Sequence, residues 1–332
     1  MPSETYLVIG SNSFSGSNFI FKILEASKNN KVIGISRSKE SPNYFLKYKT
    51  SKNLKNFVFF KCNLKNEKKF CSIIEKYRPK YVINYAALGM VHESWQNPDH
   101  WYLTNLVNQT IIYKKLMGKK YLKKIIHVTT PEVYGNTNKK LKENFNFNPT
   151  TPYAISRAAM DFQLKRMNEQ FKFPVIFTRT ANVYGPGQQL YRIIPKTIMK
   201  FKNYQKMEIH GNGKSIRSFI YIDDVSEATY KILKRGKIGE TYHISTSQTC
   251  TILSLVEQIS KKMKLNYKKN IKFIKDRIGK DLLYDLSSNK LRKKIGWKPK
   301  INLKDGIINT INWVENNFHN LKEIKTDYKH IK

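Results

Sequence analysis

Short apolar, β-branched runs recur through the first half of the chain, separated by stretches with helical spacing. They are Tyr6-Leu-Val-Ile9, Val32-Ile-Gly-Ile35, Phe57-Val-Phe-Phe60, Tyr81-Val-Ile83, Ile125-Ile-His-Val128 and Val175-Ile-Phe177. A run without polar alternation suits a strand buried on both faces, and crossover helices between such strands produce a parallel sheet. The expected fold class is α/β, a doubly wound parallel sheet. From about Tyr184 the pattern changes to Gly-Pro turns with mixed short strands and helices. This part is expected to form a smaller C-terminal α/β substrate lobe. Residues 1–180 are then the sheet domain, rejoined by a segment at about 216–248 in which Phe219-Ile-Tyr-Ile222 reads as the strand that returns to the sheet. Residues 181–215 and 249–320 form the lobe, and 321–332 a polar tail that frays.

The first strand ends in Gly10-Ser-Asn-Ser-Phe-Ser-Gly16, followed by a helical segment. In a Rossmann-type unit the first glycine makes the tight turn and the last permits close helix–strand packing. The helix N-terminus then offers N–H groups to a pyrophosphate. Gly10, Asn12, Ser13, Phe14 and Gly16 are therefore candidate cofactor residues, with Ser13 crowding the place where a third glycine is usual. The second strand ends in Ser36-Arg37. An acidic residue there would bond the ribose 2′-hydroxyl, whereas an arginine accommodates a 2′-phosphate, so the cofactor reads as NAD(P), with NADP favoured. Asn63 and Leu64, after the third strand, stand where the adenine would lie, and Ala86 and Ala87 follow the fourth.

Thr151-Pro152 is a helix start, with threonine as N-cap and proline at the first helical position. Tyr153 and Arg157 are then one turn apart on one face. A phenol titrates near 10 and is a poor base at neutral pH, and a fixed cation nearby is expected to lower it. Thr129 and Thr130 end a buried strand at the sheet edge where ligands bind, and Glu132 follows two residues later. Thr130, Glu132, Tyr153 and Arg157 are the catalytic candidates, with Thr129, Tyr153 and Arg157 also facing the cofactor.

The formal charge is +37, from 61 Lys+Arg against 24 Asp+Glu. The lysines are scattered rather than clustered and no nucleic-acid motif is present, so the excess reads as solvated faces that also attract an anionic diphosphate. No apolar run approaches the length of about 18 residues expected of a membrane span. The three cysteines have no metal-ligand spacing, and no metal site is expected. The start of the chain enters a strand without signal-peptide features, and the expected location is cytoplasmic.

With these motifs the chain resembles the extended short-chain dehydrogenase/reductase family, and within it the nucleotide-sugar epimerases and dehydratases of the dTDP-glucose and GDP-mannose 4,6-dehydratase type. The resemblance extends through Asn84-Tyr-Ala-Ala87, Thr104-Asn105, Ala181-Asn-Val-Tyr-Gly-Pro186, Arg192-Ile-Ile-Pro195, Arg217-Ser-Phe-Ile-Tyr221, Arg277-Ile-Gly-Lys-Asp281 and Ile295-Gly-Trp-Lys-Pro299. It implies oxidation of a nucleotide-linked hexose at C4, elimination of water across C5–C6 and hydride return to C6, giving a 4-keto-6-deoxy sugar nucleotide. Tyr153 would deprotonate the C4 hydroxyl beside Thr130, and Glu132 would remove the C5 proton. Asn182, Arg192, Pro195, Arg217 and Arg277 would bind the dTDP- or GDP-hexose.

Two departures stand out. Pro131 replaces the aspartate usual in enzymes acting on dTDP-glucose, which leaves both proton transfers to Glu132, the pattern of GDP-mannose dehydratases. Arg157 replaces the family lysine and keeps its charge with a different reach. The alternatives are a 4-epimerase, a UDP-hexuronate decarboxylase or a 4-dehydrogenase of the same family, or a non-catalytic nucleotide-sugar-binding member. The family also implies a homodimer joined through the helix carrying Thr104-Asn105 and the helix opening at Pro152.

Overall fold

A computed structural model of the chain describes residues 4–137, 139–276 and 285–330. The alternation read from the sequence is realised in order. β1 (Thr5–Ile9), α1 (Phe14–Ala26), β2 (Lys31–Ser36), β3 (Phe57–Lys61), α2 (Glu67–Tyr77) and β4 (Tyr81–Asn84) come first. There follow α3 (Pro98–Tyr102), a π-helical turn (Leu103–Val107), α4 (Asn108–Leu116), β5 (Lys124–Thr129), α5 (Pro152–Phe171) and β6 (Val175–Thr180).

These strands and a later one form a seven-stranded sheet, and each neighbouring pair is parallel. The seventh strand is β11, and the order is β11-β6-β5-β4-β1-β2-β3, with β11 spanning Thr241–Ile244. The winding direction reverses between β1 and β4. Loops leaving those two strands diverge, and a crevice opens above their carboxyl ends. Alternate side chains fill two cores. Tyr6, Val8, Ile83, Ile126 and Ile176 face one side of the sheet, and Leu7, Ile9, Val82, Ile125, Val175 and Phe177 the other. Burial on both faces is why these strands lack polar alternation.

The second half adds β7 (Asn182–Tyr184), α6 (Ile193–Lys202), β8 (Met207–His210), β9 (Ile216–Arg217), β10 (Phe219–Tyr221) and α7 (Ile222–Arg235) before β11. β12 (Cys250–Thr251), α8 (Ile252–Lys262), β13 (Ile271–Ile274), α9 (Asn289–Ile295) and α10 (Leu303–Leu321) follow it. The strand expected to return to the sheet, Phe219–Tyr221, pairs instead with β7 in a separate two-stranded sheet. The place beside β6 belongs to Thr241–Ile244, all four residues of which are buried. The tail expected to fray is packed as far as His330: Ile324 contacts the core and Tyr328 packs edge-on against Tyr191.

Candidate active site

Gly10 sits at φ +85°, and a Cβ added there would lie 2.8 Å from the backbone nitrogen of Ala86. The glycine therefore lets the loop after β1 pass against the loop after β4 at the switch point. A Cβ on Gly16 would strike the carbonyl oxygen of Gly10, so this position too requires glycine. Ser13 does more than fill the place of a glycine. Its hydroxyl donates to the Gly10 carbonyl at 2.7 Å and accepts from Gly16 N–H at 3.0 Å, which caps α1. One of the N–H groups expected to meet a pyrophosphate is thus already engaged. Phe14 is buried as the first residue of α1. The Asn12 side-chain amide donates to the Lys39 carbonyl at 2.6 Å, and Asn12 N–H donates to the Ser36 hydroxyl at 2.9 Å. The glycine loop and the loop after β2 are tied together in this way.

A cavity of about 740 Å³ opens here, lined by Gly10, Asn12, Ser13, Ser36, Arg37, Asn63, Leu64, Ala86 and Ala87. That volume lies within the roughly 300–1,000 Å³ of cofactor sites. The Asn63 side-chain oxygen accepts from Lys65 N–H at 3.0 Å, so it also shapes its own loop. Among further residues of the wall, not assigned to it from the sequence, are His100, Thr104, Asn108 and His330. Asn105, fully buried in the π-helical turn, bonds Leu88 N–H at 2.8 Å, the Leu88 carbonyl at 3.1 Å and the Ser156 hydroxyl at 3.0 Å. It fastens the wall to α5.

The catalytic candidates converge beside this wall. Thr151 caps α5 by accepting from Ala154 N–H at 3.2 Å, with Pro152 at the first helical position. Tyr153 follows and packs with Leu88 and Trp101, and Leu88 lines the cavity. Thr130 begins a single 3₁₀ turn, Pro131–Tyr134, which swings Glu132 toward the same place. Burial is the largest influence on the Tyr153 phenol and pushes it above its ordinary value, and the charge of Glu132 adds to this. Arg157, a hydrogen bond with the Thr130 side chain and Arg192 act in the opposite direction. Arg157 thus lowers the phenol as expected, but the net direction is upward, because removal from water and a nearby carboxylate outweigh it.

Arg157 itself is buried, and its guanidinium donates to the Val128 carbonyl inside the protein. It meets a network that the sequence reading missed. Asp161, one turn further along α5, accepts from Arg179 at 2.8 Å and from the Thr129 hydroxyl at 3.0 Å. The Thr129 side chain is thereby directed inward. Arg179 also donates to the Tyr134 hydroxyl at 3.2 Å, which contacts His243 Nε2 at 2.9 Å. His127 Nδ1 lies 2.7 Å from the Tyr113 hydroxyl, which accepts from Asn84 at 2.7 Å. Burial raises the Asp161 carboxyl above its ordinary range, against the pull of Arg179 and Arg157. Burial and the same two guanidiniums hold His127 well below its ordinary value. A signal was present: Arg179 and His127 interrupt otherwise apolar strands, and Tyr153, Arg157 and Asp161 recur every four residues.

Of the expected substrate residues, Arg192 is the one brought to this group. It precedes α6, its charge reaches Tyr153, and its terminal nitrogen lies 3.7 Å from where a Cβ on Gly89 would stand. Pro195 is buried in the first turn of α6. Asn182 bonds the Ser218 carbonyl, which joins β7 to β10. Arg217 lines a second cavity of about 500 Å³ in the lobe with Cys250, Gln258 and Lys304. Arg277 lies outside the described residues.

Residues 7–310 match the sequence model of the GDP-mannose 4,6-dehydratase family. The chain belongs to this family. Among curated relatives, human dTDP-D-glucose 4,6-dehydratase is 31% identical over 97% of this chain and 93% of its own length. The corresponding Haemophilus influenzae enzyme is 28% identical over 92% and 96%. The crystal structure of dTDP-glucose 4,6-dehydratase from Bacillus anthracis, in complex with NAD, superposes with a TM-score of 0.86 at 26% identity, covering 95% of this chain and 98% of that one. Among the described residues no group of three or more His, Cys, Asp and Glu side chains is placed to hold a metal, and no helix is long and apolar enough to cross a membrane.

Proposed function

We propose that the chain is an NAD(P)-dependent nucleotide-diphosphate-hexose 4,6-dehydratase. The observation that carries this is the convergence of Thr130, Glu132 and Arg192 on one phenol, Tyr153, beside the glycine-loop crevice. The residues present fit a dinucleotide: the crevice has a suitable volume, and Gly10 and Gly16 let the loop after β1 close tightly on the loop after β4 and on α1. The Gly10–Gly16 loop would hold the pyrophosphate, Ser36 and Arg37 the adenosine ribose, and Ala86 and Ala87 the inner wall. The bound nicotinamide supplies hydride acceptance from C4 and return to C6.

The chain's own groups move the protons. Tyr153 Oη takes the proton of the C4 hydroxyl, which Thr130 orients. Glu132 takes the C5 proton that the new ketone acidifies. Pro131 has no proton to offer, so Glu132 also protonates the C6 oxygen as it leaves as water. Two protons are released, from the C4 hydroxyl and C5, and two are consumed, by water and on return to C5. Arg192 supplies a fixed positive charge for the sugar diphosphate. Incubation with dTDP-, GDP- and UDP-hexoses should yield a 4-keto-6-deoxy product, detected by its alkali-induced ultraviolet absorbance and by mass. Retained binding without product for every one of these would replace this reading with a nucleotide-sugar-binding protein.

Arg37, exposed at the crevice mouth, supports NADP as the preferred cofactor. Arg37→Ala should weaken NADP binding about tenfold and leave NAD unaffected; equal effects on both would refute the preference. A homodimer is supported by apolar side chains on the outer faces of the helices around α4 and α5, where Val107 is 46% exposed and Ile155 and Phe162 are each 43% exposed. Light scattering at the monomer mass would exclude it. The free thiols of Cys62, Cys71 and Cys250 support a cytoplasmic location, which cell fractionation tests. We also retain the division into a sheet domain and a substrate lobe, which limited proteolysis would test.

A further inference from the structure

α10 ends at Leu321, which is fully buried, and the residues that follow reach the crevice, where His330 forms part of the wall. Their contacts there are specific. Asp327 pairs with Lys196 of α6 at 2.7 Å. The Tyr328 ring packs edge-on against Tyr191 at 5.1 Å, next to Arg192. His330 Nε2 lies 2.8 Å from His100 Nδ1 on α3, and the His330 ring lies 4.9 Å from that of Trp101. Trp101 in turn packs on Tyr153, and both His100 and His330 line the cofactor cavity. Within four residues the tail thus joins the element carrying Arg192 to the element that backs the catalytic phenol.

We propose that Asp327–His330 is a built part of the cofactor site, a strap that must part before a dinucleotide held in the crevice can leave. The cavity keeps its volume of about 740 Å³ with the strap in place, so the segment forms wall and does not fill the space. Both Arg37, which lines the crevice, and Arg192, beside the Tyr153 phenol, act on the half-buried Tyr328 phenol, in keeping with a strap between the cofactor cavity and the catalytic group. A reaction that regenerates its cofactor within each cycle gains from slow release, because the same molecule serves successive turnovers. The inference rests on the cofactor reading of the crevice and does not depend on which sugar is processed.

The test compares the full chain, a chain ending at Thr326, and the full-length variants Tyr328→Ala and His330→Ala. The rate of NADH and NADPH release from each is followed by nicotinamide fluorescence after rapid dilution. Truncation should speed release roughly tenfold, with the single variants intermediate. Thermal unfolding of the truncated chain should match that of the full chain, because Leu321 and Ile324 remain. Unchanged release would overturn the strap, and slower release or tighter binding would show that the tail is a plug. A full chain that binds neither cofactor would overturn the cofactor reading, a result distinct from a full chain that binds both and is indifferent to truncation.

Discussion

Two clusters of the same chemical groups lie one above the other on the buried face of α5. The upper one has a phenol, a carboxylate and a guanidinium: Tyr153, Glu132 and Arg192. The lower one has Tyr134, Asp161 and Arg179. In the lower cluster Arg179 and Asp161 are fully buried and Asp161 Oδ2 receives two donors. In the upper cluster Glu132 and Arg192 are only partly buried. The difference teaches that surroundings rather than residue type divide catalysis from scaffolding. A carboxylate sealed with its partners fixes geometry, whereas one with access to solvent and substrate can exchange a proton. Arg157 stands between the clusters and bonds downward to Val128.

The largest expected effect separates the two by activity. Tyr153→Phe should lower kcat by about 10²–10⁴-fold with little change in thermal unfolding. Turnover that survives would erase the distinction. Asp161→Ala should do the reverse and destabilise the fold by about 3–5 kcal/mol, because it leaves buried Arg179 without its counter-charge. Urea unfolding measures this, and a loss well under ~1 kcal/mol would show that the lower cluster is not holding the fold.

A third effect sharpens the comparison within the upper cluster. Glu132→Gln should stop water elimination yet leave C4 oxidation, seen as reduction of bound cofactor. The charge of Glu132 raises the Tyr153 phenol, so its removal should shift the rise of cofactor reduction with pH toward lower pH. A shift upward, or no cofactor reduction at all, would refute the assignment. The smallest effect concerns acid. Burial and Arg179 push His243 down to about 3. Its folded value lies below its unfolded value, so its contribution is complete above the ordinary histidine range of about 6.5 and fades as pH falls toward 3. Unfolding free energy should therefore decline with acidification across that window, and His243→Gln should flatten the decline.

The sequence made the upper cluster and the crevice legible because their requirements are local. Gly10 and Gly16 are needed where two backbones meet, and Thr151-Pro152 starts a helix whatever surrounds it. The lower cluster required knowing that His127, Arg179 and Asp161 meet, although they come from two strands and a helix. The last strand was misplaced for a related reason. Thr241 and His243 break the apolar run of β11, and a buried His243 is made tolerable by partners on distant segments, among them the Tyr134 hydroxyl. Phe219–Tyr221 has the composition of a buried strand, and composition does not specify which sheet receives it. The tail read as a fraying end because its partners, Lys196, Tyr191 and His100, lie over a hundred residues away in sequence.

The widened turn at Leu103–Val107 has its own consequence. It lets one helical path turn Thr104 and Asn108 to the cavity, Asn105 and Gln109 to the interior and Val107 outward. Loss of a single residue there would tighten the coil and rotate everything on one side by about 100° relative to the other. Pocket lining, interior clasp and outer surface would then fall out of phase together. This short stretch is therefore unusually intolerant of changes in length, even where it tolerates changes in side chain.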